Sequence, residues 1–141
     1  MSSEQTHVIV GASVAGAKAA ETLRAEGFEG RVVLVGAEAK RPYERPPLSK
    51  DYLRGEAGME KVCVHDDGFY AEHDIELQLE RRVVGLDTSS SELALDNDER
   101  LRYHRLLLAT GAQPRRLPVP GGELDGVLYL RSVEEIGRAH V

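Results

Sequence analysis

Cysteine is nearly absent from this chain, and so is any long apolar run. Cys63 is the only cysteine among the 141 residues, which excludes a disulfide framework, a Cys-x-x-Cys pair and a thiolate metal cage within this stretch. No apolar run reaches membrane-spanning length, and the first residues lack the basic start and apolar core of a signal peptide. The composition therefore predicts no membrane segment and a cytoplasmic location.

The chain also lacks an excess of basic charge and a close pairing of histidines. Its formal net charge is −6, with basic residues dispersed among acidic ones, which disfavours a nucleic-acid surface. The five histidines are scattered, so we predict no metal site. No side chain is identified as a catalytic acid or base. With 41% hydrophobic and 30% charged residues, the chain has the composition of one ordinary folded domain.

A glycine-rich turn lies near the start of the chain. The apolar residues 7–10 end at Gly11, small residues follow, and an alanine-rich segment with helical spacing begins. This pattern predicts a strand, a tight turn and a helix. The first amides of such a helix, here those of Val14 and Ala15, have no partner within the helix and point outward with its positive dipole end. They suit a pyrophosphate.

The spacing of this turn differs by one residue from the dinucleotide fingerprint. Gly11 and Gly16 occupy the first and third glycine positions, and Ser13 replaces the middle glycine, which normally lets the backbone approach the pyrophosphate. A serine hydroxyl can donate to a phosphate oxygen, so we expect a modified site. A tight turn before a packing helix, without a ligand, is the alternative that the turn alone leaves open.

A second apolar run, residues 31–36, is predicted to be another buried strand and is followed by Glu38. In a Rossmann unit an acidic residue at this strand end accepts hydrogen bonds from the ribose hydroxyls of adenosine. Glu38 fits that role and argues against a 2′-phosphorylated cofactor, although the acid more often stands one position closer to the strand. The alternative is a solvated loop carboxylate.

Residues 41–53 combine three prolines with cations that include Arg45 and Lys50. The prolines predict an extended entry, and residues 49–53 are predicted to begin a helix after the proline pair. Arg45 can offer a planar fork to phosphate or ring carbonyl oxygens, and Lys50 can place one charge over a redox ring. A proline-rich surface loop with solvated charges remains the alternative.

Residues 42–50, Pro-Tyr-Glu-Arg-Pro-Pro-Leu-Ser-Lys, together with the Gly11 turn, closely resemble one protein family. It is the ferredoxin-reductase-like branch of the FAD-dependent pyridine nucleotide-disulfide oxidoreductases, the putidaredoxin and rhodocoxin reductase type. The resemblance implies that Arg45 and Lys50 contact FAD, with Lys50 close to the isoalloxazine ring.

Most of the remaining chain continues the resemblance. Residues 68–77 resemble the family's short helix and third parallel strand. Residues 82–87, 92–95 and 100–103 are predicted to form a meander, which their alternation and turn residues support independently. The resemblance implies that the backbone of Val83 meets the adenine, whereas a strand valine buried for packing is the alternative.

A further apolar run starts at residue 105 and ends in Ala109, Thr110 and Gly111. Its length and flanking turn residues predict a central parallel strand. Its end resembles the Ala-Thr-Gly segment that lies against the cofactor in this flavoprotein superfamily. Residues 128–132 resemble a later landmark, which implies that Arg131 reaches FAD. A solvated arginine at a helix start is the alternative.

These elements predict an α/β fold of the glutathione-reductase-like FAD/NAD(P)-binding type: a Rossmann-like, doubly wound parallel sheet flanked by helices, with a three-stranded meander as the crossover. We predict an FAD-binding domain at residues 1–115, and a linker with the start of an NAD(P)H-binding domain at residues 116–135. Residues 136–141 match the translated opening of a sequencing adaptor and break the helical pattern, so we expect a non-native tail there.

The resemblance also implies a function. The full-length enzyme would pass electrons from NAD(P)H through FAD to a ferredoxin-type iron-sulfur protein. Because the second glycine-rich turn and a later segment of the flavin pocket are absent, the fold is expected to be incomplete and the fragment alone inactive. Two alternatives remain: an NAD-dependent dehydrogenase module, and a non-enzymatic flavin-binding interaction protein, since apoptosis-inducing factor has a similar motif.

Overall fold

The computed structural model of the protein describes residues 5–139, and its backbone contacts divide the chain into two units. The first unit combines Met1–Tyr43 with Cys63–Thr110, and the second combines Glu44–Val62 with Gly111–Val141. Among the described residues, no helix has both the length and the apolar character needed to cross a membrane.

The first unit contains two β-sheets. The strands of the described residues are β1 (Thr6–Val10), β2 (Arg31–Val35), β3 (Ile75–Gln78), β4 (Val83–Asp87), β5 (Glu92–Leu95), β6 (Arg100–Arg102) and β7 (Arg105–Leu108). Four parallel strands form one sheet in the order β3-β2-β1-β7, and three antiparallel strands form the second in the order β4-β5-β6. The predicted parallel sheet and the predicted meander are thereby confirmed.

The helices are short, except for the first. They are α1 (Val14–Ala25), a 3₁₀ helix (Pro46–Ser49), α2 (Met59–Val62), α3 (Phe69–Glu72) and α4 (Val133–Ala139). Helix α1 ends at Ala25, Glu26 is its C-cap, and Gly27 follows with a φ of +84°. A glycine in this position closes a helix because it adopts the left-handed conformation without a Cβ penalty.

Successive side chains of β1 and β2 point to opposite faces of the sheet, which builds two hydrophobic layers in the first unit. Ile9 and Leu34 face α1 and α3, and Val8 and Val33 face the meander. The helix-side cluster consists of Ile9, Ala20, Val32, Leu34, Tyr70 and Ile75. The meander-side cluster consists of Val8, Val10, Val33, Val35, Leu93, Leu95 and Leu101. A parallel strand covered on both faces requires such a continuous apolar run.

The structure differs from the sequence-based expectations at one strand of this sheet. Among the described residues, strand β7 is an edge strand of the parallel sheet rather than a central one, and its Leu107 and Leu108 are exposed. Helices α1 and α3 cover one face of the sheet and the meander covers the other, as the predicted fold requires. The position of β7 arises from pairing between distant segments, which local periodicity does not encode.

Two predictions in the second unit also need correction. The helix expected from residue 49 begins at Pro46 and is a 3₁₀ turn with proline at its first positions. Proline fits there because its missing N–H would have no partner in the first turn. Helix α4 continues to Ala139, so the helical pattern is not broken at residue 136. His140 and Val141, the end of the predicted tail, lie outside the described residues.

Candidate functional site

The Gly11 turn joins β1 to α1 in space too narrow for a side chain. Gly11 has a φ of +117°, and a Cβ at this position would stand 2.0 Å from the carbonyl oxygen of Ala109. The Gly11 N–H donates to the Val35 carbonyl at 2.8 Å, and the Ala109 N–H donates to the Val10 carbonyl at 2.7 Å. The ends of β2, β1 and β7 therefore meet at this glycine, and the structure brings together Gly11 and Ala109, which are both predicted cofactor residues.

Gly16 allows helix α1 to start directly against the turn. A Cβ there would lie 1.9 Å from the Gly11 carbonyl oxygen and 3.0 Å from Leu34 Cδ1. The first and third glycines of the pattern thus serve the turn and the helix packing, as expected for a dinucleotide-binding βα unit. Thr110, the next residue after Ala109, is exposed.

The start of α1 presents its unpaired amides to solvent. Ser13 is the N-cap with extended backbone geometry, and its side chain makes no capping hydrogen bond. Val14 and Ala15 follow and are exposed, and the first turn contains no acidic residue. The positive end of the helix dipole therefore faces an accessible region, no acidic side chain of the first turn competes for its amides, and the Ser13 hydroxyl is not engaged in the cap.

Glu38 lies at the carboxyl end of β2, beside the turn. Gly36, two residues before Glu38, packs so closely on Ala12 that a Cβ on Gly36 would stand 2.5 Å from the Ala12 Cβ. The Glu38 carbonyl accepts the Glu80 N–H at 3.1 Å. The Tyr43 hydroxyl donates to the Glu38 carboxylate. Glu38 is half-buried, so it is not the freely solvated carboxylate that the sequence left open.

Val83 begins β4 and is half-buried. It packs against the core cluster between the two sheets and pairs with Leu95 across the meander. This packing accounts for an apolar side chain at position 83. The predicted approach of its backbone to an adenine stays a prediction.

Four of the predicted cofactor residues belong to the second unit: Arg45, Lys50, Gly111 and Arg131. Arg45 Nη1 donates to the Arg131 carbonyl at 2.7 Å. Gly111 has a φ of +70°, and a Cβ there would stand 2.5 Å from Nη2 of Arg131. Arg131 is half-buried. Arg45, Gly111 and Arg131 therefore form one cluster, whose geometry depends on the absence of a side chain at Gly111.

Lys50 follows the 3₁₀ helix as its C-cap and is exposed. Its backbone N–H donates to the Pro47 carbonyl at 3.0 Å, and Leu48 beside it is buried. The proline pair thus fixes the backbone that carries Lys50, while the ammonium group remains accessible to a ligand.

Sequence reasoning missed two residues that hold predicted ligands in place. The Glu135 carboxylate accepts the backbone N–H of Ser132 at 2.8 Å and also that of Arg131. The Ser-x-x-Glu pattern at 132–135 is a capping box, so the sequence carried a signal for this contact. The other residue is Tyr43, whose bond to Glu38 joins two loop positions and has no signature in periodicity.

Strand order β3-β2-β1-β7 with a glycine-rich turn after β1 defines a Rossmann-type fold. The sequence profile described as pyridine nucleotide-disulphide oxidoreductase matches residues 5–141. The chain belongs to the pyridine nucleotide-disulphide oxidoreductase family, which confirms the family predicted from residues 42–50 and the Gly11 turn.

Curated relatives and a solved structure agree with this assignment. The chain is 41% identical over 128 residues to a rubredoxin-NAD(+) reductase of Pseudomonas putida, covering 91% of this chain and 33% of that protein. It is 42% identical over 128 residues to a rhodocoxin reductase of Rhodococcus erythropolis, covering 91% of this chain and 30% of the relative.

The solved complex of putidaredoxin reductase with putidaredoxin is similar with a TM-score of 0.86 and 37% identity, covering 96% of this chain and 33% of that one. The chain thus spans about a third of the length of the relatives it matches.

Proposed function

We propose that this chain binds FAD and forms part of an NAD(P)H-dependent flavoprotein reductase that passes electrons to a ferredoxin-type iron-sulfur protein. The observation that carries the proposal is the Gly11 turn, where an accessible helix start meets the ends of three parallel strands. The names of the relatives, which are rubredoxin-NAD(+) and rhodocoxin reductases, support the reaction class.

The residues of the first unit fit a flavin dinucleotide. A pyrophosphate needs unpaired amides without nearby carboxylates, and α1 starts with exposed Val14 and Ala15 and no acid in its first turn. Ser13 offers a hydroxyl that does not cap the helix. Glu38 offers a carboxylate for the ribose hydroxyls. In the proposal, Gly11, Gly16, Ala109 and Thr110 shape the backbone around the phosphates, and Val83 contributes its backbone to the adenine.

The second unit supplies the cations of the proposal. Arg45, positioned by its bond to the Arg131 carbonyl, offers a planar fork to phosphate or ring carbonyl oxygens. Arg131, packed on Gly111, is a second guanidinium for the cofactor. Lys50 is exposed and stabilises negative charge near a redox ring. When bound, FAD accepts two electrons and releases them singly, which suits transfer from a pyridine nucleotide to an iron-sulfur centre.

Electron transfer by the full gene product tests the proposed reaction. NADH and NADPH oxidation is followed while a rubredoxin or a [2Fe-2S] ferredoxin is reduced, in the presence of added FAD. We expect reduction of the iron-sulfur protein to require both the pyridine nucleotide and FAD. A protein that binds FAD but transfers no electrons to either acceptor would instead support the non-enzymatic interaction protein.

An NAD-dependent dehydrogenase module is the second alternative. Residues 42–50 disfavour it, because that motif resembles flavoprotein reductases. Binding of NAD⁺ in place of a yellow flavin chromophore would establish it.

A cytoplasmic location remains part of the proposal and is supported by the single cysteine, which gives no intrachain disulfide.

A further inference from the structure

We propose that Tyr43 is a positioning residue that holds the Glu38 carboxylate ready for the adenosine ribose of the bound dinucleotide. The inference rests on the proposed function, because it takes the ribose contact of Glu38 from there. It adds a residue that acts on the cofactor through another side chain.

The contact between the two side chains is sheltered on the tyrosine side. The Tyr43 hydroxyl donates to Oε2 of Glu38, and Tyr43 is only 3% exposed. A hydrogen bond between a phenol and a carboxylate is stronger when water is excluded from one partner, because the local dielectric is lower. Glu38 itself is half-buried.

The backbone that carries Tyr43 is fixed independently of Glu38. Pro42 is fully buried, and its carbonyl accepts the Val64 N–H at 2.9 Å. Tyr43 itself forms an antiparallel bridge with Cys63. The hydroxyl is therefore presented by a restrained segment, and holding Glu38 costs little additional conformational entropy.

A carboxylate can accept several hydrogen bonds at once. An ionised carboxylate has about four acceptor sites on its two oxygens, so the bond from Tyr43 uses one of them and is compatible with further contacts. Glu38 stands one position further from β2 than the acid usually does. Its carboxylate therefore needs a contact that holds it in position. The Glu38 backbone is tied to Glu80, and Tyr43 fixes the carboxylate.

A double-mutant cycle in the full gene product tests this role. The variants are Tyr43→Phe, which keeps the buried ring, Glu38→Ala, and the double variant, each titrated with FAD and with NAD⁺. We expect Tyr43→Phe to weaken dinucleotide binding about fivefold, the equivalent of one ordinary hydrogen bond. In the Glu38→Ala background the same change should have no further effect, because Tyr43 acts through that carboxylate.

Tyr70→Phe is the matched control. Tyr70 is also 3% exposed, but its hydroxyl has no hydrogen-bond partner among residues 5–139. Burial raises the pKa of Tyr70 to about 12, so its hydroxyl remains neutral at physiological pH, as in an ordinary tyrosine. Removing this hydroxyl should leave dinucleotide binding unchanged.

Each outcome separates this inference from the proposed function. FAD binding that Tyr43→Phe leaves unchanged, or weakens equally with and without Glu38, overturns the positioning role and leaves the proposed function intact. If the variants show the expected cycle with NAD⁺ but the protein does not bind FAD, the positioning role of Tyr43 is supported and the flavin proposal is overturned. A folded protein that binds neither dinucleotide overturns both.

Discussion

Gly11 and Gly27 both adopt positive φ, but only Gly11 is crowded. A Cβ on Gly11 would collide with the Ala109 carbonyl oxygen, whereas a Cβ on Gly27 would meet nothing within 4 Å. Their alanine variants therefore separate the cost of an unfavourable φ from the cost of a steric clash.

We expect Gly11→Ala to lower the free energy of unfolding by about 2 kcal/mol more than Gly27→Ala, because overpacking adds to backbone strain. Urea unfolding followed by circular dichroism measures both variants. Equal losses would show that the ends of β1 and β7 do not approach as closely as described.

At the scale of elements, the turn between β4 and β5 is organised by one carboxylate. Asp87 Oδ1 accepts the Ser89 N–H at 2.9 Å, the Ser89 hydroxyl at 2.5 Å and the Ser90 N–H at 3.2 Å. The Ser89 hydroxyl and the Ser90 amide favour the ionised form and lower the pKa of Asp87 to about 2.

This pKa gives a pH dependence with a definite sign. In the unfolded chain an aspartate titrates at about pH 3.9. The ionised Asp87 carboxylate therefore stabilises the fold above that pH, and this stabilisation is lost as the pH falls toward 2. We expect Asp87→Asn to be less stable than the wild type at pH 7, with the difference shrinking between about pH 4 and pH 2. Urea unfolding across this range measures it, and a difference that does not depend on pH would contradict the assignment.

Helix α4 provides a second prediction at this scale. Glu135 caps the backbone of Arg131 and Ser132, while Glu134, in the same first turn, is exposed. We expect Glu135→Ala to destabilise the protein by about 1 kcal/mol, the usual cost of a lost cap, and to weaken FAD binding through Arg131.

Glu134→Ala is its control and should change neither property. Thermal unfolding and FAD titration of the two variants give the comparison. If Glu135→Ala lowers stability but leaves FAD affinity at the wild-type value, Arg131 is not a cofactor ligand.

At the scale of the whole molecule, the sequence predicts what is local and misses what is distant. The strand, turn and helix around Gly11 were predictable, because the apolar run and the glycine spacing lie within one segment. The edge position of β7 was not, because it depends on pairing with β1 nearly a hundred residues away. The capping box of Glu135 can be recognised from the Ser-x-x-Glu pattern at residues 132–135. The hydrogen bond from Tyr43 to Glu38 depends on the conformation of a loop and has no such pattern.

The candidate site likewise combines positions that local sequence patterns predict with contacts between distant segments. Gly11 and Ala109, both named from the sequence as cofactor residues, meet because they stand at the ends of neighbouring parallel strands. The cluster of Arg45, Gly111 and Arg131 depends on side-chain packing between segments distant in sequence. For these three residues, the family resemblance gave the candidates, and the structure gave their mutual contacts.

Binding of FAD is the central claim, and Lys50 allows its most direct test. Lys50 and Lys61 are both exposed lysines of the second unit, but only Lys50 is proposed to contact the flavin. The visible spectrum of the full gene product is titrated with FAD for the wild type, Lys50→Ala and Lys61→Ala.

We predict a shifted flavin spectrum for the wild type and for Lys61→Ala. For Lys50→Ala we predict an affinity about tenfold lower, as expected for the loss of one charged contact. A folded wild-type protein that leaves the flavin spectrum unchanged would contradict the account.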